Sequence, residues 1–228
     1  MEAKRMQIFK AAHLKELPAF SKRQDQLALL ERQAPQQSKA FFQKLMQARF
    51  NMTGKVGKET AESDIKNLLQ KNISQDLQSD SFYDRWVTDM AEVCKVFCET
   101  QDEDTVGFWL RSERGCRRYH IDNVPLRALV TYAGKGTEYL PDEAADRQAF
   151  LNGAPNENIV KDPLAIRFMN AWDVAVFRGG SKGLLHRTPD AALNGPSILM
   201  RLDHTSFWDN ILKQNANAHL KNSECIRQ

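Results

Sequence analysis

The sequence predicts an α+β fold, with a helical region over residues 1–100 and a β-rich region over residues 101–228 that ends in a helix. Three observations predict it. Glycine and proline are unequally shared, with 2 Gly and 2 Pro before residue 101 and 9 Gly and 6 Pro after it. Helix interiors exclude both residues, whereas strands turn on them. Apolar residues recur at helical spacing in the first region and in short runs or alternation in the second. The basic residues also change type at the same place, 11 Lys and 5 Arg giving way to 5 Lys and 11 Arg.

In the first region, residues 6–17 read as a helix that stops at Pro18, and residues 21–32, with Leu27, Leu29 and Leu30, as a second that stops before Pro35. Residues 38–50 place Phe41, Phe42, Leu45 and Met46 on one side, the pattern of an amphipathic helix. Residues 51–58 hold both glycines of the region and read as a loop. Residues 61–77 and 81–99 are again helical, the latter burying Trp86, Met90, Val93 and Phe97. Ser79 and Asp80 suit the cap before it.

Beyond residue 104, the stretches 105–111, 118–122, 126–132, 172–177, 184–187 and 197–203 are short apolar or alternating runs, with Gly or Pro in most gaps. Residues 142–151 read as a short helix within a longer connection, and 206–220 as a closing helix with Phe207, Ile211 and Leu212 inward. Short strands with short links imply a sandwich or barrel rather than a parallel sheet with crossover helices.

Composition narrows the function classes. A net charge of +3 on 228 residues excludes a strongly electrostatic nucleic-acid binder, and nucleic acid is not an expected partner. No run approaches the roughly 20 apolar residues of a membrane span, so no membrane partner is expected. Residues 1–15 are charged throughout, unlike a secretory signal. Cys94, Cys98, Cys116 and Cys225 are too sparse for a disulfide framework, which makes a reducing cytoplasm the expected location. Cys94 and Cys98 share a helix face, but Val93 and Phe97 beside them mark that face as core.

Chemistry concentrates in Tyr119-His120-Ile121-Asp122-Asn123. In a strand, residues two apart share a face, so His120 and Asp122 would project together. A second imidazole, His186, follows at the end of a later run, in Leu184-Leu185-His186-Arg187-Thr188-Pro189. Two imidazoles and one carboxylate with open positions form the facial triad of non-haem Fe(II) oxygenases. The alternative is a structural pair in which Asp122 only orients the ring. Arg111, Arg114, Arg117 and Arg118 cluster before the motif and could meet an anionic substrate, although Glu113 dilutes them and a solvated hairpin is the default.

The flanking text strengthens the triad. Leu129-Val130-Thr131-Tyr132-Ala133-Gly134-Lys135-Gly136-Thr137-Glu138 follows Asp122, and Trp172-Asp173-Val174-Ala175-Val176-Phe177-Arg178-Gly179-Gly180 precedes His186. Together these resemble the 2-oxoglutarate/Fe(II) dioxygenase superfamily, in particular its prolyl-hydroxylase-like branch, over roughly residues 105–204. The resemblance implies a double-stranded β-helix of jelly-roll or cupin-like type over residues 101–228, with residues 1–100 as a helical cover. It implies that His120, Asp122 and His186 are the metal ligands and catalytic residues. It also implies that Arg201 anchors the far carboxylate of 2-oxoglutarate and that Tyr132 adds a hydrogen bond to the cosubstrate. Arg201 lies 15 residues after His186, farther than the family pattern has it, and the 189–196 loop would absorb the excess. Arg187 competes for that role but faces the other way in a strand, and Asn123 would sit behind the ligands.

The Cys116–Asn123 and Leu184–Pro189 segments also resemble a bacterial family of unknown function whose genes often neighbour zinc-chaperone-type GTPases. That link raises zinc as an occupant instead of Fe(II). Three functions remain open on the sequence: an Fe(II)/2-oxoglutarate dioxygenase, a zinc-dependent hydrolase on the same ligands, and a non-catalytic metal-binding protein linked to zinc homeostasis. The substrate and the oligomeric state are not written in the sequence.

Overall fold

The computed structural model describes residues 8–207. The strands are β1 (Ile8–Lys10), β2 (Leu27–Leu30), β3 (Asn51–Gly57), β4 (Thr105–Arg111), β5 (Leu126–Ala133), β6 (Thr137–Leu140), β7 (Arg167–Met169), β8 (Val174–Arg178), β9 (Leu185–Arg187) and β10 (Ile198–His204). The helices are α1 (Ser38–Leu45), α2 (Ala61–Gln70), α3 (Gln75–Gln78), α4 (Tyr83–Gln101), α5 (Arg147–Leu151), α6 (Asn156–Ile159) and α7 (Asp190–Leu193). Three 3-10 turns, Leu14–Lys22, Asp142–Ala144 and Pro163–Ala165, complete the described chain. The α+β class is therefore what forms.

The strands make a seven-stranded sheet, ordered β1-β2-β8-β5-β10-β4-β3, and a three-stranded sheet, ordered β7-β6-β9. The pairings between these strands are antiparallel except β1 with β2. From β4 onward the chain passes back and forth between the sheets. An isolated bridge from His120 to His186 extends the small sheet beyond β9.

Alternation along the central strands divides the large sheet into two faces. Val106, Phe108 and Leu110 of β4, Ala128, Val130 and Tyr132 of β5, and Ile198, Met200 and Leu202 of β10 face the helices. There they meet Phe41, Phe42 and Leu45 of α1, Ile65 and Leu69 of α2, and Trp86, Met90, Cys94 and Phe97 of α4. Trp86 sits edge-on to Phe42 at 5.5 Å between centroids, the favoured arrangement for such a pair. Burying each large apolar side chain of this kind contributes about 1.5–3 kcal/mol. On the other face Leu27, Leu29, Leu129, Ala175, Phe177 and Leu199 pack on Tyr139 and Met169 of the small sheet. The result is three layers, helices on large sheet on small sheet.

The first region is not all helical. Residues 27–30, expected in a helix over 21–32, form β2, buried on both faces within the large sheet. Two-sided burial favours an unbroken apolar run, which periodicity alone does not separate from a helix. Residues 51–57, expected as a loop, form β3, with Met52 and Val56 inward. Gly54 serves close packing there, since a Cβ would meet the Leu68 side chain at 2.8 Å. Residues 8–10, expected to be helical, pair as β1, and a 3-10 turn carries the chain through Pro18. The 118–122 run makes a single bridge instead of a strand, and β7 was not expected. Beyond Phe207, the closing helix expected over 206–220 lies outside the described residues. Among the described residues, no helix is long and apolar enough to cross a membrane.

Candidate metal centre

His186 stands on β9, and His120 lies opposite it. Their backbones exchange both hydrogen bonds, His120 N–H to the His186 carbonyl at 3.0 Å and His186 N–H to the His120 carbonyl at 3.1 Å. Residues paired directly across an antiparallel ladder project to the same side, so the two rings come together, 4.3 Å between centroids. Asp122 follows in the loop toward β5. The turn after β8 clamps that loop, with Gly180 N–H donating to the Asp122 carbonyl at 2.9 Å. Gly179 permits this approach, because a Cβ on it would lie 2.2 Å from the carbonyl oxygens of Asp122 and Val124.

The three side chains converge. One potential ligand atom from each of His120, Asp122 and His186 lies within 4.8 Å of the others. Asp122 is 3.7 Å from Nε2 of His120 through Oδ1 and 3.4 Å from Nε2 of His186 through Oδ2. Nδ1 of His120 lies 3.1 Å from the Arg118 carbonyl and Nδ1 of His186 lies 3.0 Å from the Leu184 carbonyl. A carbonyl only accepts, so each ring carries its proton on Nδ1 and turns an Nε2 lone pair toward Asp122. Backbone acceptors of this kind fix the tautomer of metal-ligating histidines.

The electrostatics agree with a metal-binding role. Burial, the largest influence on His186, outweighs the attraction of Asp122 and pushes its pKa down to about 4, so the ring is neutral near pH 7. Burial also pushes Asp122 upward, but His186, Arg127, His120 and Arg201 together outweigh it and hold the carboxyl below its usual range. His120 goes the other way. Burial lowers it, and the Cys116 thiol, the Arg118 carbonyl and Asp122 bring it to a net rise.

The donor set fits a cation. Asp122 is 7 % exposed, and its Oδ2 is buried without a hydrogen-bond partner among the described residues. An orphaned buried carboxylate oxygen facing two imidazole lone pairs is what an ion would satisfy. Two histidines and one carboxylate suit a first-row divalent metal and leave positions open. Cys116 lies against His120 but outside the converging set, so these residues do not close a four-ligand zinc site.

A cavity of about 280 Å³ opens over the triad, lined on the large-sheet side by Arg111, Arg127, Leu129, Leu199 and Arg201. Arg201 thus faces the site. Its Nε pairs with Asp203 at 2.5 Å, and its guanidinium carbon lies 4.6 Å from the Trp109 ring centre. Arg187 is taken by Glu138, at 2.7 and 3.0 Å in a forked pair. Asn123 also lines the cavity.

Tyr132 does not reach the cavity, which corrects the expected cosubstrate contact. It lies an odd number of residues from Arg127 and Leu129, and alternation turns it to the helical face. There its hydroxyl donates to Asp89 at 2.8 Å and its ring packs against Trp172 at 5.0 Å. The residue that sequence reading missed is Arg127, which pairs with Asp122 and, at 2.7 Å, with Asp203. Its signal was present, since Arg127 shares strand parity with Leu129 on the face opposite Tyr132.

Comparison with known proteins places this geometry in a family. A family model described as "Protein of unknown function (DUF1826)" matches residues 11–203. The chain belongs to the DUF1826 family. No curated protein matches it. Among solved structures, the DUF1826 chain is similar to the Fe(II)/α-ketoglutarate-dependent dioxygenase TqaL, at 10 % identity and TM-score 0.46, covering 83 % of this chain and 86 % of that one. It is similar to a bsmA homologue from Methylobium petroleophilum PM1, at 11 % identity and TM-score 0.43, over 87 % and 96 % of the two chains. It is also similar to EctD from S. alaskensis, at 15 % identity and TM-score 0.40, over 82 % and 76 %. Likenesses this distant carry no weight for function, which rests on the residues of the site.

Proposed function

We propose that this DUF1826 chain is a non-haem Fe(II)- and 2-oxoglutarate-dependent dioxygenase that hydroxylates a substrate within the arginine-lined cavity. The observation that carries this reading is the convergence of two tautomer-fixed imidazoles on a buried carboxylate with an orphaned oxygen. The topology supports it. Reading from β4, the large sheet runs β4-β10-β5-β8 and the small sheet runs residue 120, β9, β6, β7. That interleaved order supports a double-stranded β-helix with the triad between the sheets.

In this reading His120, Asp122 and His186 hold Fe(II), and 2-oxoglutarate is the cosubstrate. When bound, the pair supplies activation of dioxygen for oxidation of a C–H bond. The protein's own groups do the rest. The Arg118 and Leu184 carbonyls hold the two rings in register. Arg127 keeps Asp122 ionised and oriented. Arg201, engaged with Asp203 through Nε, has its terminal nitrogens to offer the far carboxylate of 2-oxoglutarate as a fork. Leu129, Phe177 and Leu199 make an apolar floor that limits water beneath the site.

Anaerobic reconstitution tests the assignment. Fe(II) should bind at one equivalent, and adding 2-oxoglutarate should produce a visible charge-transfer absorption that His186→Ala lacks. Tight zinc with no such absorption on Fe(II) exchange would contradict the reading and favour a hydrolase or a non-catalytic metal protein.

A further inference from the structure

The cavity holds more positive charge than its paired acids and one cosubstrate neutralise. Arg111, Arg114, Arg127, Arg187 and Arg201 line it, and Arg187 is held by Glu138. Asp122 and Asp203 are the carboxylates paired with the rest of this group, and both are taken by Arg127 and Arg201. Arg111 and Arg114 have no carboxylate partner among the described residues. Glu113, the acid next to them in sequence, pairs outward with Arg49 at 2.8 Å and is well exposed. Asp190 pairs with Arg117 and Arg187 instead.

These two arginines are held in place. Arg111 is fixed at the end of β4 opposite Leu199, and its guanidinium carbon lies 4.7 Å from the Trp109 ring centre. The Arg201 guanidinium carbon lies 4.6 Å from the same ring centre. Arg114 donates to the Lys135 carbonyl at 3.0 Å and to the Thr137 hydroxyl at 2.8 Å, while its Nε is buried without a partner among the described residues. Burial first, and then the neighbouring Arg111 charge, push the Arg114 pKa down to about 10, the mark of a cation kept in unfavourable company. Half-buried like charges with spare donors are costly unless an anion joins them.

We propose that Arg111 and Arg114 form a second anion subsite in the cavity, distinct from the Arg201 anchor, which receives a carboxylate or phosphate group of the substrate. The proposal rests on the oxygenase reading for its cosubstrate and narrows the substrate to an anionic molecule. Charge bookkeeping agrees. Five guanidiniums, with Arg187 among them, against Asp122, Asp203 and the Glu138 that Arg187 holds leave an excess of two positive charges. A divalent metal and the 2-oxoglutarate dianion cancel each other, so that excess remains. Forked guanidiniums suit both carboxylate and phosphate, and the two sources need separate probes.

Calorimetry on the full chain, loaded anaerobically with Mn(II) and saturated with 2-oxoglutarate, provides the test. Inorganic phosphate and acetate are titrated in separate arms, and the stronger binder identifies the group. One equivalent of anion should bind, and Arg111→Gln with Arg114→Gln should weaken it about tenfold or more while 2-oxoglutarate affinity holds. Arg201→Gln should show the reverse pattern. Arg111→Lys and Arg114→Lys, milder changes that keep charge but lose the fork, guard against misfolding, and thermal melts check each variant. No binding of either anion, or binding that survives the double variant, overturns the proposal. So does loss of 2-oxoglutarate affinity in the double variant alone, which would make the pair the cosubstrate anchor. Anion binding that depends on the pair in a protein with no affinity for 2-oxoglutarate would keep the subsite and remove the oxygenase reading.

Discussion

Arg127 joins Asp122 to Asp203. One terminal nitrogen of its guanidinium pairs with the Asp122 carboxylate, and its Nε donates to Asp203 at 2.7 Å, with all three side chains buried. Asp122 is the only carboxylate of the triad, and this arginine, with His186, His120 and Arg201, holds it below its usual range and fixes its direction. Asp203 is shared with Arg201, and the metal centre is therefore linked through one buried ion network to the proposed cosubstrate anchor. Forked geometry makes arginine irreplaceable by lysine at such a junction.

Arg127→Gln should leave the buried Asp122 carboxylate without its arginine, whereas Asp203 keeps Arg201. Removing one partner of a buried pair costs about 3–5 kcal/mol, and loss of an orienting partner costs about 10–100-fold in metal affinity. Denaturant melts and Mn(II) titration read the two effects separately. Unchanged metal affinity in a folded variant would refute the orienting role.

Gly179→Ala places a methyl group 2.2 Å from two backbone oxygens of the Asp122 loop. The loop must move, and the expected cost is about 1–3 kcal/mol with weaker metal binding, because Asp122 moves with it. Gly153→Ala is the control. Unlike Gly179 it has a positive φ, and nothing lies within 4 Å of the added carbon, so stability should fall through backbone strain while metal affinity stays.

The distribution of legible and hidden features follows from local pattern against tertiary context. The strands β4, β5, β8 and β10 were readable because Gly or Pro stands on at least one side of each run and the runs carry one buried face or two. The triad was readable because His120 and Asp122 are two apart, although the element expected to align them, a strand over 118–122, is only a bridge to His186. β2 was hidden because Leu27-Ala28-Leu29-Leu30 suits a helix equally well until neighbours cover both faces. β3 was hidden because Gly54 and Gly57 read as turn residues, where Gly54 admits the Leu68 side chain. Tyr132 was misplaced although strand parity was available. Counting from Leu129 puts it on the far face.

Tyr132→Phe tests that correction. It removes the hydrogen bond to Asp89, which Arg32 also holds at 2.6 Å, and should cost about 1 kcal/mol of stability. Affinity for 2-oxoglutarate should be unchanged. A marked rise in its Kd in a variant of normal stability would return Tyr132 to the site.

Metal affinity should depend on pH through one histidine over most of the range. His186 is already neutral down to about pH 4, and Asp122 stays ionised because its pKa is lowered. His120, with its pKa raised, must release its proton for the ion to bind. Affinity should therefore fall by about tenfold per pH unit below the His120 value, one proton per ion. It should steepen to two protons only as His186 begins to titrate. Mn(II) titrations across pH read the slope, and a slope of two near neutrality would contradict the neutral assignment of His186.

The central claim is that the His120, Asp122 and His186 cluster works with 2-oxoglutarate as an oxygenase centre. Succinate formation from 2-oxoglutarate by the Fe(II)-loaded chain in the presence of dioxygen tests it most directly. The account predicts slow turnover without added substrate, abolished in His186→Ala and reduced in Arg201→Gln by a raised KM. No succinate from a chain shown to hold one Fe(II) and to bind 2-oxoglutarate, or turnover that persists in His186→Ala, would contradict it.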